Sequence, residues 1–144
     1  MFRTKLTRLF QIVLLSGMLL SHIEIASAQS NGGGQAQLVE GRAIIVRQGK
    51  EMEIDPYPMD FKDQDLIQTF DKGKVHLTLK GGDVIFLAPK TEIQFEEKLE
   101  IKGSKRILNR TLKLKGRLLA RIQRNPETPI QIRTPNAIVG VKGT

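Results

Sequence analysis

An all-β domain is what this sequence predicts, and three observations carry the prediction. Apolar residues recur with a period of two: Val75, Leu77 and Leu79 alternate with His76, Thr78 and Lys80, and Ile93, Phe95, Leu99 and Ile101 alternate with Glu92, Gln94, Lys98 and Glu100. That is the pattern of half-buried strands. Turn chemistry separates the runs, at Gln48-Gly49-Lys50, Asp71-Lys72-Gly73, Gly81-Gly82-Asp83, Lys102-Gly103-Ser104, Lys115-Gly116 and Asn125-Pro126, of which the Gly81-Gly82 pair is the clearest hairpin signal. No stretch carries the 3.6-residue stripe of a packed helix.

Taken in order, residues 1–8 hold Arg3, Lys5 and Arg8 without an acid, and 9–20 (LFQIVLLSGMLL) are apolar. His22 and Glu24 end this run short of the ~20 residues that span a bilayer, and Ala26-Ser27-Ala28 offers a signal-peptidase site. Residues 1–28 therefore read as a cleavable signal peptide, which directs the chain to the periplasm. The glycine-rich stretch that follows has no side chain able to anchor it, so 29–37 read as a disordered leader and 38–144 as the domain. Further strands are expected at 43–48, 66–70, 83–87, 107–114, 117–123, 130–134 and 137–141. Pro56 and Pro58 bracket Tyr57, so 55–61 should be a loop or connection rather than a central strand. Short strands at such intervals make a sandwich, barrel or solenoid. An echo of Leu77-Thr78-Leu79-Lys80-Gly81 in Leu112-Lys113-Leu114-Lys115-Gly116 leans towards a β-solenoid over a twisted sandwich.

Composition narrows the function. The 144 residues carry no cysteine, no tryptophan and 5% aromatics, which removes disulfides, thiolate metal sites and cysteine nucleophiles and leaves few stacking platforms for nucleic acid. The net charge of +8 is unevenly spread. Residues 29–100 hold 9 cations and 13 anions, whereas 101–144 hold 11 cations and only Glu127. Nine cations and no carboxylate lie between Lys102 and Arg124, which would favour an acidic protein, an anionic polymer or a phospholipid surface. Arg117, Arg121, Arg124, Lys113 and Lys115 are the candidate partner-binding residues, acting through charge complementarity.

Catalytic chemistry is sparse. His76 sits on the polar face of a strand, and only Ser30 and Ser104 could serve it as nucleophile beyond residue 28. Asp60, Asp63 and Asp65 cluster without the spacing or closing Glu of an EF-hand loop. Gly140-Val141-Lys142-Gly143-Thr144 places its lysine before the second glycine, so it is not a phosphate loop. No catalytic residue, metal site or cofactor is assigned.

The C-terminal stretch Thr134-Pro135-Asn136-Ala137-Ile138-Val139-Gly140-Val141-Lys142-Gly143-Thr144 closely resembles the most characteristic stretch of the FecR-domain family. Gly41 with 44–47, Asp65-Leu66-Ile67-Gln68-Thr69, the segment 73–83 with Leu87-Ala88-Pro89-Lys90-Thr91, and 112–119 resemble its other segments in order. Thr134, Pro135, Gly140, Gly143 and Thr144 are the motif's structural residues, a turn and a close backbone approach that shut the core. The resemblance implies a non-catalytic periplasmic β domain that, in iron-transport regulators, takes a signal from an outer-membrane transducer and passes it across the inner membrane to a sigma factor. Here a signal peptide stands where those regulators have a cytoplasmic segment and a transmembrane helix, so the anti-sigma role does not carry over. Relatives usually continue past the Gly-Thr with another strand, so the domain is expected to be C-terminally incomplete. The expected function is binding or signal relay through contact with another envelope protein, or attachment to an anionic cell-wall or lipopolysaccharide polymer through the basic half.

Overall fold

The computed structural model describes residues 32–135 and 137–140, the last four by their backbone. Among them are twelve strands and no helix: β1 (Gly32–Glu40), β2 (Ala43–Arg47), β3 (Lys50–Glu53), β4 (Met59–Lys62), β5 (Leu66–Thr69), β6 (Lys74–Leu79), β7 (Val84–Leu87), β8 (Glu92–Lys102), β9 (Lys105–Lys115), β10 (Leu118–Arg121), β11 (Ile130–Thr134) and β12 (Ala137–Gly140). They form a five-stranded sheet, order β10-β7-β6-β1-β4, and a seven-stranded sheet, order β12-β11-β9-β8-β5-β2-β3.

Alternation decides what lies between the sheets. Leu77, Leu79, Ile85 and Leu87 of the smaller sheet meet Ile45, Ile67, Ile93, Phe95 and Leu112 of the larger one in one buried cluster, while the alternate residues of each strand face outward. Phe61 and Phe95 meet edge to face at its centre, ring centroids 5.1 Å apart. The result is a sandwich rather than stacked coils. The echoed segments fall in different sheets, Leu77 on β6 and Leu112 on β9, and the strand pairs are antiparallel apart from β11 on β9.

The expected disordered leader is corrected in part. Residues 32–37 belong to β1, which runs between β6 and β4, and 29–31 lie outside the described residues along with 1–28. The glycines serve close packing: a Cβ on Gly33 would come within 2.7 Å of Phe61 and collide with Phe95. A strand can cross the aromatic pair only where it has no side chain. The Pro56-Pro58 segment is a loop, but it yields at Met59 to β4, an edge strand. Gly81 and Gly82, both at positive φ, close the β6–β7 hairpin, with Leu79 N–H donating to Asp83 O at 2.8 Å.

Candidate functional site

Strand β10 exists because Gly116 lets the chain change sheets. At φ +121, and with a Cβ there placed within 2.6 Å of Thr91 Oγ1, Gly116 turns β9 of the larger sheet into β10 at the edge of the smaller one. Buried Thr91 fixes the corner: its hydroxyl donates to Arg117 O and accepts from Arg117 N–H, both at 3.1 Å. Thr91→Val should therefore cost about 1–2 kcal/mol, read as a lower urea midpoint, because the Arg117 amide loses its partner.

The corner puts β10 beside β7 and completes a row across the outer face of the smaller sheet. Gln37 pairs with His76, His76 with Phe86, and Phe86 with Leu119. His76 and Phe86 stack at 4.8 Å with planes 7° apart. Leu119 is 70% exposed, Val39 63% and Phe86 45%, and these apolar side chains border a shallow groove of about 460 Å³ lined also by Lys74, Pro89 and Arg117. Arg121 lies two residues beyond Leu119 on the same face, exposed. Val39, Phe86 and Leu119 thus make an apolar patch beside Gln37 and His76, bordered by Arg121 at the end of the edge strand and Arg117 just before it, where scattered single apolar residues would need no explanation.

The other sequence-predicted residues separate. Lys113 and Lys115 point outward from the seven-stranded sheet, the opposite side of the sandwich from Arg121. Each already faces an acid: Lys113 bridges Glu96 at 2.5 Å and Lys115 approaches Glu92 at 4.0 Å. Arg124 lies in the loop after β10 and is exposed. The single basic surface read from residues 102–124 is therefore corrected to at least two faces, because alternation and the corner at Gly116 send neighbouring cations to opposite sides. Arg110, a member of that run, is not on the surface at all. It is 1% exposed and donates to Asp83 Oδ2 at 2.6 Å, Thr128 O at 2.5 Å and Lys80 O at 3.2 Å. Its position in step with the inward Leu112 and Leu114 was the available signal.

Asp65 and Asp63, two of the three clustered acids, are occupied as well. Buried Asp65 takes both Nε and Nη2 of Arg47, at 2.9 and 2.7 Å, and Asp63 accepts from the Glu97 amide at 2.7 Å. Burial holds the Glu97 carboxyl above its usual range, opposed by Lys80 and reinforced by Asp63. In the terminal motif, Thr134 pairs with Ala137 across the Pro135 turn and Gly140 with Gln131, while Gly143 and Thr144 lie outside the described residues.

The FecR protein family model matches residues 65–144, more than half of the chain. The chain belongs to the FecR family. The match spans β5 to the C-terminal motif, so it takes in the Gly116 corner and β10 but leaves β1 to β4 outside. FecR domains are signalling-related domains of the periplasm and envelope, and the family is regulatory rather than enzymatic. Neither a curated protein nor a solved structure matches the chain. Among the described residues no helix is long and apolar enough to cross a membrane.

Proposed function

We propose that this chain is an exported, non-catalytic FecR-like domain that binds another envelope protein and relays a signal through that contact, residues 1–28 acting as its cleaved signal peptide. The single observation that supports the docking face is the row Gln37, His76, Phe86, Leu119, bordered by Val39 and by Arg117 and Arg121. An apolar centre with a charged rim is the make-up of a protein contact, the centre holding the partner and the rim selecting it. Arg117 and Arg121 make no ion pair among the described residues, so a carboxylate-bearing partner gains their charge without breaking an existing bond. Attachment to an anionic polymer draws instead on the 11:1 excess of cations in 101–144, and the involvement of Lys113 and Lys115 with Glu96 and Glu92 reduces what that surface offers.

A photo-crosslinker at Leu119 tests the reading in the living envelope. A discrete product is expected there and not from Lys62 on the opposite edge strand, and Arg117→Glu with Arg121→Glu should reduce it about tenfold or more. Equal products from both sites, or a product indifferent to the arginines, would overturn the docking face. Salt separates the two readings: a polymer-bound chain leaves envelope fractions as ionic strength rises, whereas a contact with an apolar centre persists.

A further inference from the structure

The β8–β9 hairpin outruns the sheet that holds it. β8 pairs with β5 over Glu92, Ile93 and Gln94, with two more bonds joining Phe95 to Gln64 and Asp65, and β9 pairs with β11 over Arg110 to Lys113, with one more bond from Leu108 N–H to Glu127 O. Beyond that the two strands pair with each other alone, through Lys98↔Asn109 to Lys102↔Lys105, and every residue from 98 to 106 is exposed. A two-stranded ribbon with neither face covered is marginal in water unless something receives it.

Its composition says what receives it. The face that carries Phe95 and Leu112 into the core continues outward through the pairs Leu99↔Leu108 and Ile101↔Arg106, and Leu99 and Ile101 are 54% and 65% exposed. Arg106 shares their face, while Lys98, Lys102 and Lys105 stand on the other face of the ribbon, and none of the four makes an ion pair among the described residues. The one acid, Glu100, already accepts from Asn109 at 3.0 Å. Four cations and one carboxylate thus share the end of a projecting arm with two bare aliphatic side chains.

We propose that this hairpin tip seats on an anionic phospholipid surface, Leu99 and Ile101 reaching the acyl boundary while Lys98, Lys102, Lys105 and Arg106 lie among the phosphates. The charge complementarity is direct, and exposed aliphatic side chains on one face of a cation-rich tip are the make-up of an interfacial anchor, the long lysine side chains of the other face reaching round to the head groups. Shallow seating suits the backbone: the outward-facing N–H and C=O groups of the ribbon stay at head-group level, where water and phosphate satisfy them, rather than in hydrocarbon. The site lies at the far end of β8 and β9 and does not depend on the docking face at Leu119.

The chain has no tryptophan, so Ser104→Trp places a single emitter in the tip loop of the exported protein, residues 29–144, which is free of the apolar run 9–20 that would bind vesicles by itself. With vesicles containing phosphatidylglycerol its emission should shift to the blue and be quenched by brominated acyl chains, with little change on phosphatidylcholine alone. Leu99→Ser with Ile101→Ser should weaken tip insertion about tenfold or more, and Lys102→Glu or Lys105→Glu by roughly fivefold or more each. All four positions are exposed, so an unchanged urea midpoint is expected and shows that folding is intact. Leu119→Asp, which should abolish the protein contact, should leave the vesicle signal unchanged. Unshifted emission on anionic vesicles would overturn the proposal. So would the same shift in the Leu99→Ser, Ile101→Ser protein, a shift with soluble polyphosphate, or one without lipid that tracks self-association, the last making a second copy the occupant.

Discussion

Gly34→Val should cost about 3 kcal/mol or more of folding stability, enough to leave a small domain largely unfolded under mild denaturant. Gly34 stands at φ +156 in β1, where a Cβ would collide with the carbonyl oxygen of Thr78 and lie 2.8 Å from Leu79 Cα. Both obstacles are backbone atoms of β6, the strand paired with β1, so no rotamer change relieves them. Gly33 should follow, since its Cβ would strike the rings of Phe61 and Phe95. Gly32 is the internal control: its Cβ would meet only Phe61 O, at 3.6 Å, an ordinary contact, and Gly32→Ala should change folding stability by less than about 1 kcal/mol, leaving the urea midpoint nearly in place. Three adjacent glycines with unlike responses mark a close-packed strand. A uniform, negligible response across all three would restore the flexible-leader reading.

Asp83→Ala should cost about 3–5 kcal/mol, because it strands the Arg110 guanidinium in the interior. The two side chains are 2% and 1% exposed and bridge at 2.6 Å. Asp83 Oδ1 also accepts from Gln123 N–H at 2.6 Å, so one carboxylate ties the β6–β7 turn to β9 and to the segment after β10. The paired change Asp83→Leu with Arg110→Met should recover most of the loss, since an apolar pair of similar volume does not carry the desolvation cost of two ions. It should not recover all of it, as Lys80 O, Thr128 O and the Gln123 amide lose partners. Urea midpoints of the two single variants and the double variant form the cycle that measures the coupling. Additive costs would show that the bridge is not the organising contact.

Strands such as β6 and β8 were legible because alternation of Val75, Leu77 and Leu79, or of Ile93 and Phe95, is local information. The Gly81-Gly82 turn was legible for the same reason. β1 was not, because its glycines carry no hydrophobic signal and owe their place to rings that arrive from β4 and β8. β3 and β4 are short edge strands, and the Lys50-Glu51-Met52-Glu53 stretch shows no apolar alternation to betray it.

The candidate site was half legible. Arg117 and Arg121 were visible as charge, but the row they border is assembled from β1, β6, β7 and β10 and has no signature in any one of them.

Alone, then, the sequence determined the all-β class, the turns and the C-terminal motif that marks the family, since each depends on residues near one another in the chain. Only the tertiary structure decided which cations are surface and which are core. Lys113, Lys115 and Arg121 face opposite sides of the sandwich and Arg110 faces inward. A residue's face depends on strand register and on which sheet the chain joins after Gly116, and both are fixed by contacts between segments far apart in sequence.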